Sequence, residues 1–123
     1  MMVRLNIKFN FKIIKERFRM IEKTFNLSKG NEKAVEKVIF DENIHYLHMV
    51  FNENEGLPEH YSNSNVYMTV IRGVLSIALD EQEAHEYSYN TLLKILEGTK
   101  MNVKNLHKET LEIIVVKAPA PKA

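Results

Sequence analysis

Residues 56–79 read GLPEHYSNSNVYMTVIRGVLSIAL. The first half is rich in Gly, Pro, Asn and Ser, which marks a loop. The second half holds two apolar runs, 65–71 and 74–79, parted by Arg72-Gly73, a tight hairpin signal. In the first run Val66, Met68 and Val70 alternate with Tyr67, Thr69 and Ile71. Both parities are therefore largely apolar. A strand with one wet face would carry polar residues at every second position, so this one needs cover on both sides.

Working outward, Val38-Ile39-Phe40 and residues 44–51 predict two strands around the polar turn Asp41-Glu42-Asn43. Asn52 to Pro58 contains Asn, Gly and Pro and is expected to be a loop. Further short strands are predicted at 83–87, 91–96 and 100–104. A last one covers 111–117, and its Leu-Glu-Ile-Ile-Val-Val opening is again apolar on both faces. About eight short strands with regular turn punctuation argue for an antiparallel barrel or sandwich. Only Lys15 to Thr24 has the makings of a helix. The prolines of Ala118 to Ala123 cannot join a ladder, so that tail is expected to be exposed.

Residues 1–13 also alternate. Val3, Leu5, Ile7, Phe9, Phe11 and Ile13 share one parity, and Arg4, Asn6, Lys8, Asn10 and Lys12 the other. Period two predicts a half-buried edge strand. A competing reading takes Met20 as the start, with Lys15-Glu16-Arg17 a translated ribosome-binding site; the intact mass of protein made from the native gene decides between them. The expected organisation is an N-terminal extension at 1–19, one barrel at 20–117 and a tail at 118–123.

A chain of 123 residues suits one domain, and can bury roughly two thirds of its unfolded surface. It has no cysteine, which removes disulfides and thiolate metal sites and fits a reducing, cytoplasmic location. No apolar run approaches the roughly 18 residues of a membrane helix, so no membrane partner is expected. The net charge of +1 is uneven: residues 1–19 carry six Lys or Arg against one Glu, and the remainder is net −4. A mildly acidic body is a poor footprint for nucleic acid. The strands that are apolar on both faces instead predict a homodimer formed through sheet packing, with a second copy or residues 1–13 as the outer cover.

The quoted stretch resembles the first motif of the cupin superfamily: a His, a second His two residues on, a Glu four residues later and a Gly seven after that. His60 and Gly73 stand at the first and last positions with the spacing intact. Residues 97–119 are similar to the second motif, with His107 at its His and Gly98 opening the strand pair. The resemblance covers about residues 34–117 and implies a cupin-type double-stranded β-helix, a jelly-roll barrel. In members with the full set, three His and one Glu inside the barrel hold a divalent metal. This chain departs at two of the four positions, where Ser62 and Val66 stand. Leu111 also replaces the Asn that often follows the second-motif His.

Imidazole and carboxylate suit Fe, Mn, Ni or Zn, so a repaired site would need another donor. His45 and His48 lie on one strand with opposite parities. His48 is taken as the inward one because Leu47, Met49 and Phe51 then share the other face. The expected metal set is His48, His60 and His107. Glu59 should point away from His60, and His85, in a polar hairpin, is expected to be exposed.

The loss of one His and the Glu from the metal set predicts small-molecule binding in the barrel without catalysis, with His60, Ser62, Tyr67, Met68 and His107 as ligand contacts. The alternatives are a metal-dependent dioxygenase, isomerase or lyase, or an interaction module whose barrel is simply filled. No phosphate loop, nucleophile elbow or paired-carboxylate motif occurs.

Overall fold

The computed structural model describes residues 20–122. The predicted strand over residues 1–13 lies outside them. Among the described residues there are nine strands and no helix. They are β1 Ala34–Phe40, β2 His45–Phe51, β3 His60–Tyr61, β4 Val66–Arg72 and β5 Val74–Leu79, followed by β6 His85–Ser88, β7 Leu92–Ile95, β8 Lys100–Lys104 and β9 Leu111–Lys117. The two-residue β3 is the one strand that the sequence pattern did not predict.

The strands form two antiparallel sheets, one in the order β1-β2-β9-β4-β7 and the other β3-β8-β5-β6. From β4 onward the chain passes back and forth between them, which winds it into a double-stranded β-helix. The expected hairpin at Arg72-Gly73 is therefore overturned: β4 and β5 lie in different sheets and do not pair. Gly73 is a corner. Its φ of 78° is in the left-handed region that glycine occupies without strain. A bulge between Val70 and Arg72 bends β4 into that corner. The true hairpins are β1–β2 and β5–β6. In the first, the Asp41 carboxylate accepts from the backbone N–H of Asn43 and of Ile44, closing the turn.

Strand alternation sorts the side chains. Leu47, Met49 and Phe51 of β2, Val66, Met68 and Val70 of β4, and Leu111, Ile113 and Val115 of β9 point between the sheets. They meet Leu75, Ile77, Met101 and Val103 from the second sheet in one buried cluster. The interior is packed with side chains, as small barrels often are.

The outer face of the five-stranded sheet has its own cover at one end. The Ser28 N–H donates to Glu36 of β1, and Arg72 of β4 donates to the Gly30 carbonyl and to Asn31 Oδ1. Residues 28–31 thus strap the sheet from β1 to β4. Sequence reasoning assigned this role to a second copy or to residues 1–13, because a strap this short and polar has no periodicity to betray it. The C-terminal segment also differs from expectation. The Ala118 N–H donates to the Asn65 carbonyl and the Ala120 N–H to that of Asn43, so the segment is tied down and Ala118, Ala120 and Pro121 are half-buried.

Candidate functional site

Two rows of inward side chains face each other at the end of the barrel where β4 begins. The register of the larger sheet aligns Phe40, His45, Lys117, Val66 and Ile95. That of the smaller sheet aligns His60, Met101 and Leu79. Stacked sheets lie roughly 10 Å apart, so these rows form a mouth. Its floor is apolar: Val66, Ile95 and Met101 are buried. Its polar groups are His45, His60 and Lys117, each half-buried. A cleft of about 280 Å³ lies beside the mouth, sharing Leu79 and Ile95 with these rows and bordered by Asp80, Gln82, Lys94, Leu96 and Thr99.

Each polar group at the mouth has a defined setting. The His60 Nδ1–H donates to the Pro58 carbonyl at 2.8 Å, which leaves Nε2 for another partner. His45 stacks on Phe40, with ring centroids 3.7 Å apart and planes 7° from parallel. Lys117 donates from Nζ to Asn63 Oδ1 at 3.1 Å. Burial pushes the Lys117 ammonium pKa down. Among the described residues no carboxylate lies in ion-pair range of it.

The predicted ligand and metal residues fall in different places. His60 faces the mouth, aligned with Met101. His107 lies in the loop after β8, beyond the opposite end of the strand that carries Met101, and binds Glu86 at 2.6 Å. Glu86 pairs with Ser76, whose neighbours Leu75 and Ile77 point inward, so the His107–Glu86 pair belongs to the outer face of the smaller sheet. The two imidazoles do not meet. His48 corrects the parity argument. Leu47, Met49 and Phe51 face the core, so His48 faces out, beneath the strap, between Glu36 and Glu112. The grouping of alternate residues held, but the inward set was the apolar one, and His45 is the inward histidine.

Ser62 is buried but occupied: its hydroxyl donates to the Leu96 carbonyl and accepts from the Thr99 N–H, locking the β7–β8 connection. Tyr67 is on the outer face, with the Lys94 ammonium 5.8 Å from its ring centroid. Met68 points inward but is 1% exposed, one row deeper than the mouth. The four positions of the family's metal set therefore hold one inward imidazole, a hydroxyl committed to backbone groups, a valine and an outward imidazole. Among the described residues no three His, Asp or Glu side chains are placed to share an ion. The donor set does not fit a divalent metal.

Sequence reasoning missed His45 and Lys117. The signal for Lys117 was present: it extends the parity of Leu111, Ile113 and Val115, all core residues. A charged residue closing an apolar parity marks the strand end where the barrel opens.

Two sheets wound as a double-stranded β-helix, with a mouth at one end, define the cupin class. A search of known proteins agrees. An uncharacterised protein of Methanocaldococcus jannaschii is 36% identical over 104 residues, spanning 84% of this chain and 90% of that one. A crystal structure from that organism, described as an RmlC-like cupin family protein with a double-stranded β-helix fold, matches with a TM-score of 0.81 at 36% identity, covering 84% of this chain and 95% of that one. The chain belongs to the RmlC-like cupin family. A cupin superfamily protein of Desulfitobacterium hafniense shares the fold alone, with a TM-score of 0.64 at 11% identity over 76% of this chain and 83% of that one. No protein-family model matches the sequence. No helix among the described residues is long and apolar enough to cross a membrane.

Proposed function

We propose that the chain is a small-molecule-binding cupin that holds its ligand at the mouth between His60, His45 and Lys117. The observation that supports this most is the pairing of an apolar floor with polar groups that the strand register gathers at one end of the barrel, beside an open cleft. That is the usual make-up of a ligand site, and the neighbouring cleft, at about 280 Å³, falls just below the ~300–1,000 Å³ range of such sites. The ligand is correspondingly small. The reading replaces the His60–His107 anchor pair with residues that share one end of the barrel.

Titrating ¹⁵N-labelled protein with a fragment panel tests it. Saturable shifts are expected at Val66, Leu79, Ile95, Thr99 and Met101. Shifts confined to the outer faces, or none for any fragment, would defeat the proposal.

A second element concerns assembly. On the outer face of the larger sheet the register aligns Ile39, Tyr46, Val116 and Tyr67, with Ile114 and Leu92 in the next row. The strap reaches the other end of this face, Phe25 and Leu27 border Ile39 and Tyr46, and Leu92 is 64% exposed. We propose that a second copy packs here, as the strands apolar on both faces suggest. Sedimentation at micromolar concentration should report a dimer of the 14.4 kDa chain, and Tyr67→Glu should dissociate it. A monomer in the unsubstituted protein overturns this.

A further inference from the structure

We infer that the mouth takes a small organic carboxylate, its charged head on Lys117 and its apolar part on the floor of Val66, Met101, Leu79 and Ile95. This rests on the reading of the mouth as a ligand site and goes on to name the ligand's chemistry.

The argument begins from an imbalance of charge. An ammonium held half out of water gains from a partner of opposite sign. Lys117 is the last residue of β9, on the parity of three core residues, and its register partner on β4 is Val66, which is fully buried. Its Nζ meets only the neutral amide oxygen of Asn63 among the described residues. The other half-buried cation on this sheet, Arg72, has Glu112 beside it at 3.0 Å. The protein has thus supplied a counter-charge at one end of the sheet and left it out at the other, next to the opening. An oxyanion bound there would complete the pairing.

The two imidazoles extend the same chemistry. His60 spends Nδ1 on the Pro58 carbonyl, leaving Nε2 as a polar group on the facing wall. His45 lies beside Lys117 on the adjoining strand, its ring held by Phe40. One ammonium provides one full charge, which suits a carboxylate. The floor, made of two aliphatic chains, a valine and a methionine, suits a short hydrocarbon tail.

The test uses three probes of matched length, hexanoate, hexanol and hexylamine, at fixed ionic strength, followed by ¹⁵N shifts and calorimetry on the full chain. Hexanoate is expected to bind saturably and to shift Val66, Met101 and Lys117. Hexylamine is expected to do neither. Lys117→Met keeps the hydrocarbon stem and should weaken hexanoate roughly ten- to hundredfold, the loss of one charge-assisted hydrogen bond. Lys117→Arg should restore most of the affinity, which a merely structural role for the lysine would not produce. If hexanol binds as well as hexanoate, or Lys117→Met leaves hexanoate unchanged, the inference fails while the mouth survives as a neutral site. If no probe of any charge binds at the mouth, both this inference and the ligand-site reading fall.

Discussion

Replacing His48 by alanine is expected to lower the unfolding free energy by about 2–5 kcal/mol, the usual cost of truncating a fully buried side chain, with the lost ion pairs to two partly exposed carboxylates adding less. His48 is fully buried, with Nδ1 2.5 Å from Glu36 Oε1 and Nε2 2.5 Å from Glu112 Oε2. An ionised carboxylate only accepts hydrogen bonds, so both ring nitrogens must donate, and the ring is an imidazolium. Arg72 donates from Nε to the other oxygen of Glu112 at 3.0 Å. Two cations and two anions thus balance, under a strap that Glu36 and Arg72 also hold. Alanine would leave the two carboxylates with one cation and a void beneath residues 28–31.

The same network predicts a pH dependence. Burial alone would push the His48 pKa below 6.5, but the hydrogen bonds it donates to Glu36 and Glu112 outweigh it and the net shift is upward. A raised cation pKa stabilises fully below 6.5 and loses its effect as pH rises through the folded value. The hydrogen bond with His48, chiefly, lowers the Glu36 pKa from 4.5. That contribution is present above 4.5 and is lost as pH falls through the folded value. Between these limits the network holds the fold most tightly. Chemical denaturation across mildly acid to alkaline pH should show stability declining on the alkaline side in the parent and a flatter profile in His48→Ala. Equal alkaline slopes in the two proteins would show that His48 does not carry the effect.

Gly73→Ala should be nearly as damaging, at about 2–5 kcal/mol. Left-handed backbone costs a residue with a Cβ roughly 1–2 kcal/mol, and forcing backbone apart in a packed region adds roughly 1–3 kcal/mol. The new methyl would land on the Thr110 carbonyl oxygen and 2.9 Å from Leu111 Cα, neither of which can rotate aside. Gly98 is the internal control: its φ is 87°, yet nothing lies within 4 Å of the point where a methyl would stand. Gly98→Ala should therefore cost the conformational part only. Equal losses in thermal or urea unfolding of the two variants would refute the crowding argument. This also gives the motif's last glycine a physical meaning: it is where the chain leaves one sheet for the other while brushing the start of β9.

Much of the fold was legible because side-chain alternation is a local property. Val66 to Ile71 and Leu111 to Val116 announce strands covered on both faces, and both are central strands in the structure. The motif spacing from His60 to Gly73 added the family. The site was less legible, because alternation pairs residues without saying which set is inside. At β2 it separated His45 from His48 correctly and then put the wrong one in the barrel, since three apolar residues outweigh one histidine in choosing the core. His107 fell outside for a different reason. A loop residue has no parity, and the side chain that claims it, Glu86, is 21 residues away in sequence.

The sequence by itself determined the class of fold, the strands and their apolar faces, since these depend on contacts between near neighbours and on period-two alternation. Only the tertiary structure decided that His60 shares an end of the barrel with His45 and Lys117, that His48 lies under a polar strap, and that Gly73 turns a corner. Those facts depend on register between strands as distant as β2 and β9, and a one-residue slip in any pairing would turn every side chain to the other face.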